Sequence, residues 1–136
     1  MAVFAHTDAY FEINTVDLSD HVVSIETPQA GEMLDATKMS DTTRTHISGL
    51  KTWSMNVTLH QDYATGKTDA TINALVGGAA VAIEVRPDSA AASSTNPKWT
   101  GNAIVSEYSP VAGTVGDLAV ASIVLTSAGA LTRAES

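Results

Sequence analysis

Residues 39–61 read Met-Ser-Asp-Thr-Thr-Arg-Thr-His-Ile-Ser-Gly-Leu-Lys-Thr-Trp-Ser-Met-Asn-Val-Thr-Leu-His-Gln. In the second half, Trp53, Met55, Val57 and Leu59 alternate with Ser54, Asn56, Thr58 and His60. Successive side chains of an extended chain point to opposite faces, so this is a strand with one apolar face. The first half reads as a polar loop. Gly49 falls where that loop would bend into the strand, a corner that often needs a positive φ.

The same alternation recurs on both sides. Ala9, Phe11, Ile13 and Thr15 alternate with Tyr10, Glu12 and Asn14, predicting a strand over 9–15. Asp17-Leu18-Ser19-Asp20 predicts a turn or a single helical turn, and residues 21–26 a strand that Pro28 stops. Further strands are predicted over 81–86, 98–108 and 117–126, with a turn over 110–116 and a last short strand over 131–133. Gly101 marks a bulge or a close backbone approach. A helix is predicted over 68–76, with Thr68 or Asp69 as its cap, Ile72, Leu75 and Val76 on one face, and Gly77 at the stop position. So narrow an apolar stripe cannot hold an isolated helix, so it should lie against the sheet.

Residues 29–51 have no regular period. They are mostly polar, yet they carry Met33, Leu34 and Met39, which a purely solvated loop does not need. Long irregular segments are uncommon in compact domains and are usually functional or mobile. The expectation is a long hairpin or arm that becomes ordered against a neighbouring subunit, with Arg44 and His46 among its contacts. About six or seven strands and one helix give a mainly β domain, an antiparallel sandwich or barrel with a short flanking helix and a long loop. Residues 1–136 form one domain, with 1–8 as a candidate arm.

Composition narrows the function classes. No apolar run approaches the roughly 20 residues that a membrane span needs, although 44% of the chain is hydrophobic. The start, Met-Ala-Val-Phe-Ala-His-Thr-Asp, has no basic region before an apolar core and does not read as a signal peptide, so a cytoplasmic protein without a membrane anchor is expected. Cysteine is absent, which excludes disulfides, thiolate metal sites and cysteine nucleophiles. Fifteen acidic against seven basic residues give a formal charge of −8, the wrong sign for holding DNA by phosphate neutralisation.

Chemical motifs are weak throughout. Gly66-Lys67-Thr68 invites comparison with a phosphate loop, but Gln61 stands where that pattern needs glycine. His6, His21, His46 and His60 show no metal-ligand spacing; Asp17, Asp20 and His21 come nearest to a cluster, and both aspartates are better explained as turn residues. No nucleophile elbow is present. Asn56-Val57-Thr58 matches a glycosylation acceptor inside a predicted strand and is a chance match. Trp53 and Trp99 are expected to anchor packing. The sequence therefore predicts no enzyme, no cofactor and no metal.

A threonine-rich loop, Ile47-Ser48-Gly49-Leu50-Lys51 and an alternating strand resemble the major tail tube proteins of long-tailed bacteriophages. The resemblance continues in Ala74-Leu75-Val76-Gly77-Gly78, in the run from Lys98-Trp99-Thr100-Gly101 to Tyr108, and in Gly129-Ala130-Leu131-Thr132-Arg133. It implies a structural virion protein that forms stacked hexameric rings, the tail tube through which DNA leaves the capsid. Tape-measure and tail-terminator proteins are its implied partners, the virion tail its implied location, and the host cytoplasm its place of assembly. A surface that DNA slides past should be acidic or neutral. Ser54, Asn56, Thr58, Glu84, Asn102, Ser106 and Glu107 are the candidates to line that lumen. The alternatives are the inner tube of a contractile tail or type VI secretion system, a neck or tail-end ring, and, from another class, a small-ligand-binding or hydrolytic β-barrel.

Overall fold

The computed structural model describes residues 3–136. In order, the elements are β1 (Tyr10–Ile13), β2 (Val16–Asp17), a turn of 3-10 helix (Ser19–His21), β3 (Val22–Glu26), β4 (Gln29–Asp35), β5 (His46–His60), α1 (Thr68–Ile72), a second 3-10 turn (Asn73–Leu75), β6 (Val81–Arg86), β7 (Lys98–Ala112), β8 (Val120–Ser127) and β9 (Thr132–Ala134). All nine strands belong to antiparallel pairings, and the main path runs β2-β1-β6-β7-β8-β5-β3, with β4 on β5 and β9 on β7.

The sheet curls on itself. Ile25 of β3 and Val85 of β6, far apart along the strand path, line one cavity of about 280 Å³ with Trp99. Inside the curl, β5 contributes Trp53, Met55, Val57 and Leu59, β1 Phe11 and Ile13, β6 Ile83 and Val85, β7 Ala103 and Val105, and β8 Ile123 and Leu125. Each Val, Leu, Ile, Phe or Met among them contributes about 1.5–3 kcal/mol when fully buried. This burial holds together a chain that has no disulfide.

Several sequence expectations are corrected. The first strand ends at Ile13, because Asn14 and Thr15 turn with positive φ into β2. Strand β5 begins at His46, ahead of Trp53, and Gly49 lies inside it rather than at a corner. Its φ is not positive; a Cβ there would stand 2.9 Å from Glu32 Oε2, so glycine makes room for the side chain across the ladder. Strand β7 extends to Ala112 through register shifts, so the predicted turn over 110–116 begins later. Gly101 is a close approach, with Ala130 O and Trp53 Cζ2 each 3.0 Å from where a Cβ would be.

The helix is shorter than predicted. Its cap position is Lys67 without a side-chain bond, and Thr68 is buried inside it, donating from Oγ1 to the His60 carbonyl at 3.0 Å. Ile72 is fully buried, Leu75 is partly buried, and Val76 is exposed, so the expected three-residue face narrows mainly to Ile72. Gly77, at φ 66°, stops the segment as expected and donates its N–H to Val105 O. Of the candidate arm, residues 3–8 are exposed, while residues 1 and 2 lie outside the described residues.

Candidate assembly surfaces

From Ser54 to His60, β5 pairs with β8 on one edge, and from Asn56 to Leu59 with β3 on the other. From His46 to Trp53 its ladder partner is β4 alone. The predicted irregular segment 29–51 is thus a paired antiparallel ribbon that leaves the barrel, and every residue of β4 is exposed. Leu34 stands opposite Ile47 on one face, and Met33 opposite Ser48 on the other. Met39 at the tip is 94% exposed.

The ribbon's tip is tied by its own polar groups. Ala36 donates to Thr45 O at 2.9 Å, Thr45 N–H to Thr37 Oγ1 at 2.9 Å, and Lys38 N–H to Asp41 Oδ2 at 3.0 Å. Arg44 Nη1 lies 2.9 Å from Asp35 Oδ2, and His46 stands opposite Asp35 in the ladder. The Thr37 hydroxyl and N–H, together with the Arg44 guanidinium, hold the Asp35 carboxyl below the usual carboxylate range. A two-stranded ribbon is marginal by itself in water, and this one also exposes Met33, Leu34, Ile47 and Leu50. Ile47 and Leu50 were missed by the sequence reading. Ile47 is in phase with Trp53, but Gly49 and Lys51 between them hide the alternation.

All seven lumen candidates fall on the outward face of the sheet. Ser54, Asn56 and Thr58 stand opposite Thr126, Val124 and Ser122; Asn102 stands opposite Ala82, Glu107 opposite Val124, and Glu84 between Glu12 and Thr100. Ser106 donates to Val124 O and accepts from Thr126 Oγ1 at 2.9 Å. The structure adds Glu12 and Glu26 to this face, the second opposite Asn56. Glu12 directly opposite Glu84 is a like-charge pair, which destabilises a sheet. Arg86 relieves it: its Nε lies 3.4 Å from Glu84 Oε2 without hydrogen-bond alignment, and its guanidinium sits 3.9 Å over the Tyr10 ring.

The residues weighed as a metal cluster are occupied by each other. Asp17 Oδ1 accepts from Ser19, while His21 lies between Asp20 and Asp62. Among the described residues no group of three His, Asp or Glu is placed to hold a metal ion, and no helix is long and apolar enough to cross a membrane.

No protein-family model matches the sequence, and no curated protein matches it. Solved structures do match. A chain in the virion of a native gene transfer agent particle is 17% identical with a TM-score of 0.76, over 96% of this chain and 98% of that one. The SPP1 tail tube is 14% identical with a TM-score of 0.74, over 95% and 77%. The chain has the tail-tube fold. A sheath/tube terminator of an extracellular contractile injection system is 10% identical with a TM-score of 0.74, over 98% and 97%, so the same fold serves contractile systems.

Proposed function

We propose that this protein is a structural virion subunit that assembles into rings, six copies in each, stacked as a tail tube for DNA ejection. The observation that carries this reading is the ribbon. It leaves Met33, Leu34, Ile47 and Leu50 exposed in a single copy. Met33, Leu34, Met39, Arg44 and His46 then form the contact with a neighbouring copy, and the free edges of β3 and β4 are closed by assembly. The outward sheet face lines the lumen, where Ser, Thr, Asn and Glu side chains repel or ignore a passing phosphate backbone. The protein works without catalysis or cofactor, beside a tape-measure and a tail-terminator protein, and ends in the virion after assembly in the host cytoplasm.

Negative-stain microscopy of the purified protein at rising concentration tests the reading. Tubes are expected from the parent, and folded protein that builds no tubes from Ile47→Asp combined with Leu50→Asp. A parent that stays monomeric at high concentration rejects the proposal. The likeness to a sheath/tube terminator favours a second reading, a ring that ends a tube instead of building one. Such a protein stops at single rings where a tube subunit extends.

A further inference from the structure

A second exposed apolar cluster lies at the other end of β5. Val120 of β8 stands opposite His60, so residues 113–119, which join β7 to β8, project past the end of β5 that is remote from the ribbon. Val115 is fully exposed and Leu118 73% exposed, with Val111 and Tyr63 uncovered beside them. The tip is nevertheless held in place. Gln61 donates its N–H to Ala119 O at 3.0 Å and its side-chain amide to Pro110 O, Tyr63 donates its hydroxyl to Pro110 O at 3.0 Å, and Asp117 N–H bonds Thr114 O at 3.0 Å. Gly113 and Gly116 take the positive φ that this turn requires. Polar bonds fix the backbone while the apolar side chains point away, which presents them at little further entropy loss on docking.

We infer that this tip is the axial docking surface of the protein, and that its occupant is the β4–β5 ribbon of a second copy. The inference rests on the tube reading above. Each copy carries two apolar clusters at opposite ends of one strand. A tip-to-tip or ribbon-to-ribbon contact is two-fold, covers one cluster and stops at a pair. A tip-to-ribbon contact is head-to-tail, covers both clusters in every copy and repeats without end, as a stack of rings demands. Charge agrees: Asp117 next to Leu118 on the tip, and Lys51 next to Leu50 on the ribbon, have no ion-pair partner among the described residues. The resulting stack is polar, with all ribbons pointing one way.

The native chain has no cysteine, so a designed thiol pair reports the contact without background. Val115→Cys combined with Ile47→Cys, assembled and then oxidised, should give a ladder of disulfide-linked species beyond the dimer, while each single variant stays unlinked. Leu118→Glu should give folded rings that do not stack. Tubes of normal length from Leu118→Glu, no ladder from assembled double-cysteine protein, or dimers from Val115→Cys alone would each overturn the inference and leave the tube reading standing. A parent that forms neither rings nor tubes removes the tube reading, and this inference with it.

Discussion

Nε2 of His21 lies 2.9 Å from Oδ2 of Asp62, which ties the 3-10 turn before β3 to the segment that leads into α1. Nδ1 of the same ring lies 2.8 Å from Asp20 Oδ1. Both nitrogens can donate only in the imidazolium form. The Asp62 bond, then the Asp20 bond, raises the pKa of His21 above its ordinary value against a smaller opposing effect of burial. Asp20 is lowered chiefly by His21, and Asp62 by the Ala64 N–H and then by His21.

These shifts set a pH window. The raised His21 contributes stability that is fully present below about pH 6.5 and is lost as pH rises through its folded-state value. The lowered aspartates contribute stability present above about pH 4 and lost as pH falls through theirs. Between about pH 6 and pH 9 the melting temperature should therefore fall more in the parent than in His21→Gln. Thermal melts across that range check it, and parallel curves for the two proteins reject the clamp.

Ile72 is fully buried under the sheet, whereas Leu75 is partly buried and Val76 exposed. Ile72→Ala should lower stability by about 2–5 kcal/mol, with Val76→Ala within about 0.5 kcal/mol of the parent. Leu75→Ala should fall between them. Urea unfolding orders the three, and a larger loss at Val76 than at Ile72 contradicts the packing.

Asn14 and Thr15 turn β1 into β2 with φ of 49° and 67°. Both positive values match the tight hairpin turn in which glycine is favoured, and a β-branched residue there is strained by about 1–2 kcal/mol. Among the described residues the Thr15 hydroxyl bonds only the adjacent Asn14 carbonyl, and it is exposed. Thr15→Gly should raise stability by about 1 kcal/mol after the entropy of glycine is subtracted. A lowered melting temperature would show that the hydroxyl matters more than the backbone.

The strands legible from sequence are those with one face in the core and one in water. Val81 to Arg86 was read with the observed bounds, and Trp53, Met55, Val57 and Leu59 are all buried as their spacing requires. The ribbon was legible only as a long hairpin or arm without strand bounds, because neither of its faces meets the core. Nothing forces alternation on Gln29–Asp35 or on the first residues of β5, and only the backbone ladder reveals them. Val76 was misplaced for a related reason: helix periodicity puts it beside Ile72, but Gly77 ends the segment first and Val76 bridges Val105 instead. The lumen candidates on three strands share a face: parity places Ser54, Asn56, Thr58, Glu84 and Asn102 there, and the register shift between Val105 and Glu107 turns Ser106 and Glu107 outward together.

The outward face is the place to test passage of DNA. Glu107 and Glu26 are both exposed on it, opposite Val124 and Asn56, and neither forms a hydrogen bond or ion pair among the described residues that folding would lose. Glu26→Lys with Glu107→Lys moves the formal charge by two units at each site, from −8 to −4, and places cations on the edge strand β3 and on the interior strand β7. If this face lines the channel, tubes of the parent should retain no single-stranded oligonucleotide, while tubes of the double variant, assembled in its presence at low salt, should retain it protected from nuclease. The retention should fall steeply between about 50 and 200 mM salt, since it depends on displaced counterions. Oligonucleotide held in a nuclease-sensitive form would place the face on the outside of the assembly. Equal lack of retention by both tubes at low salt would remove the face from the path of DNA altogether.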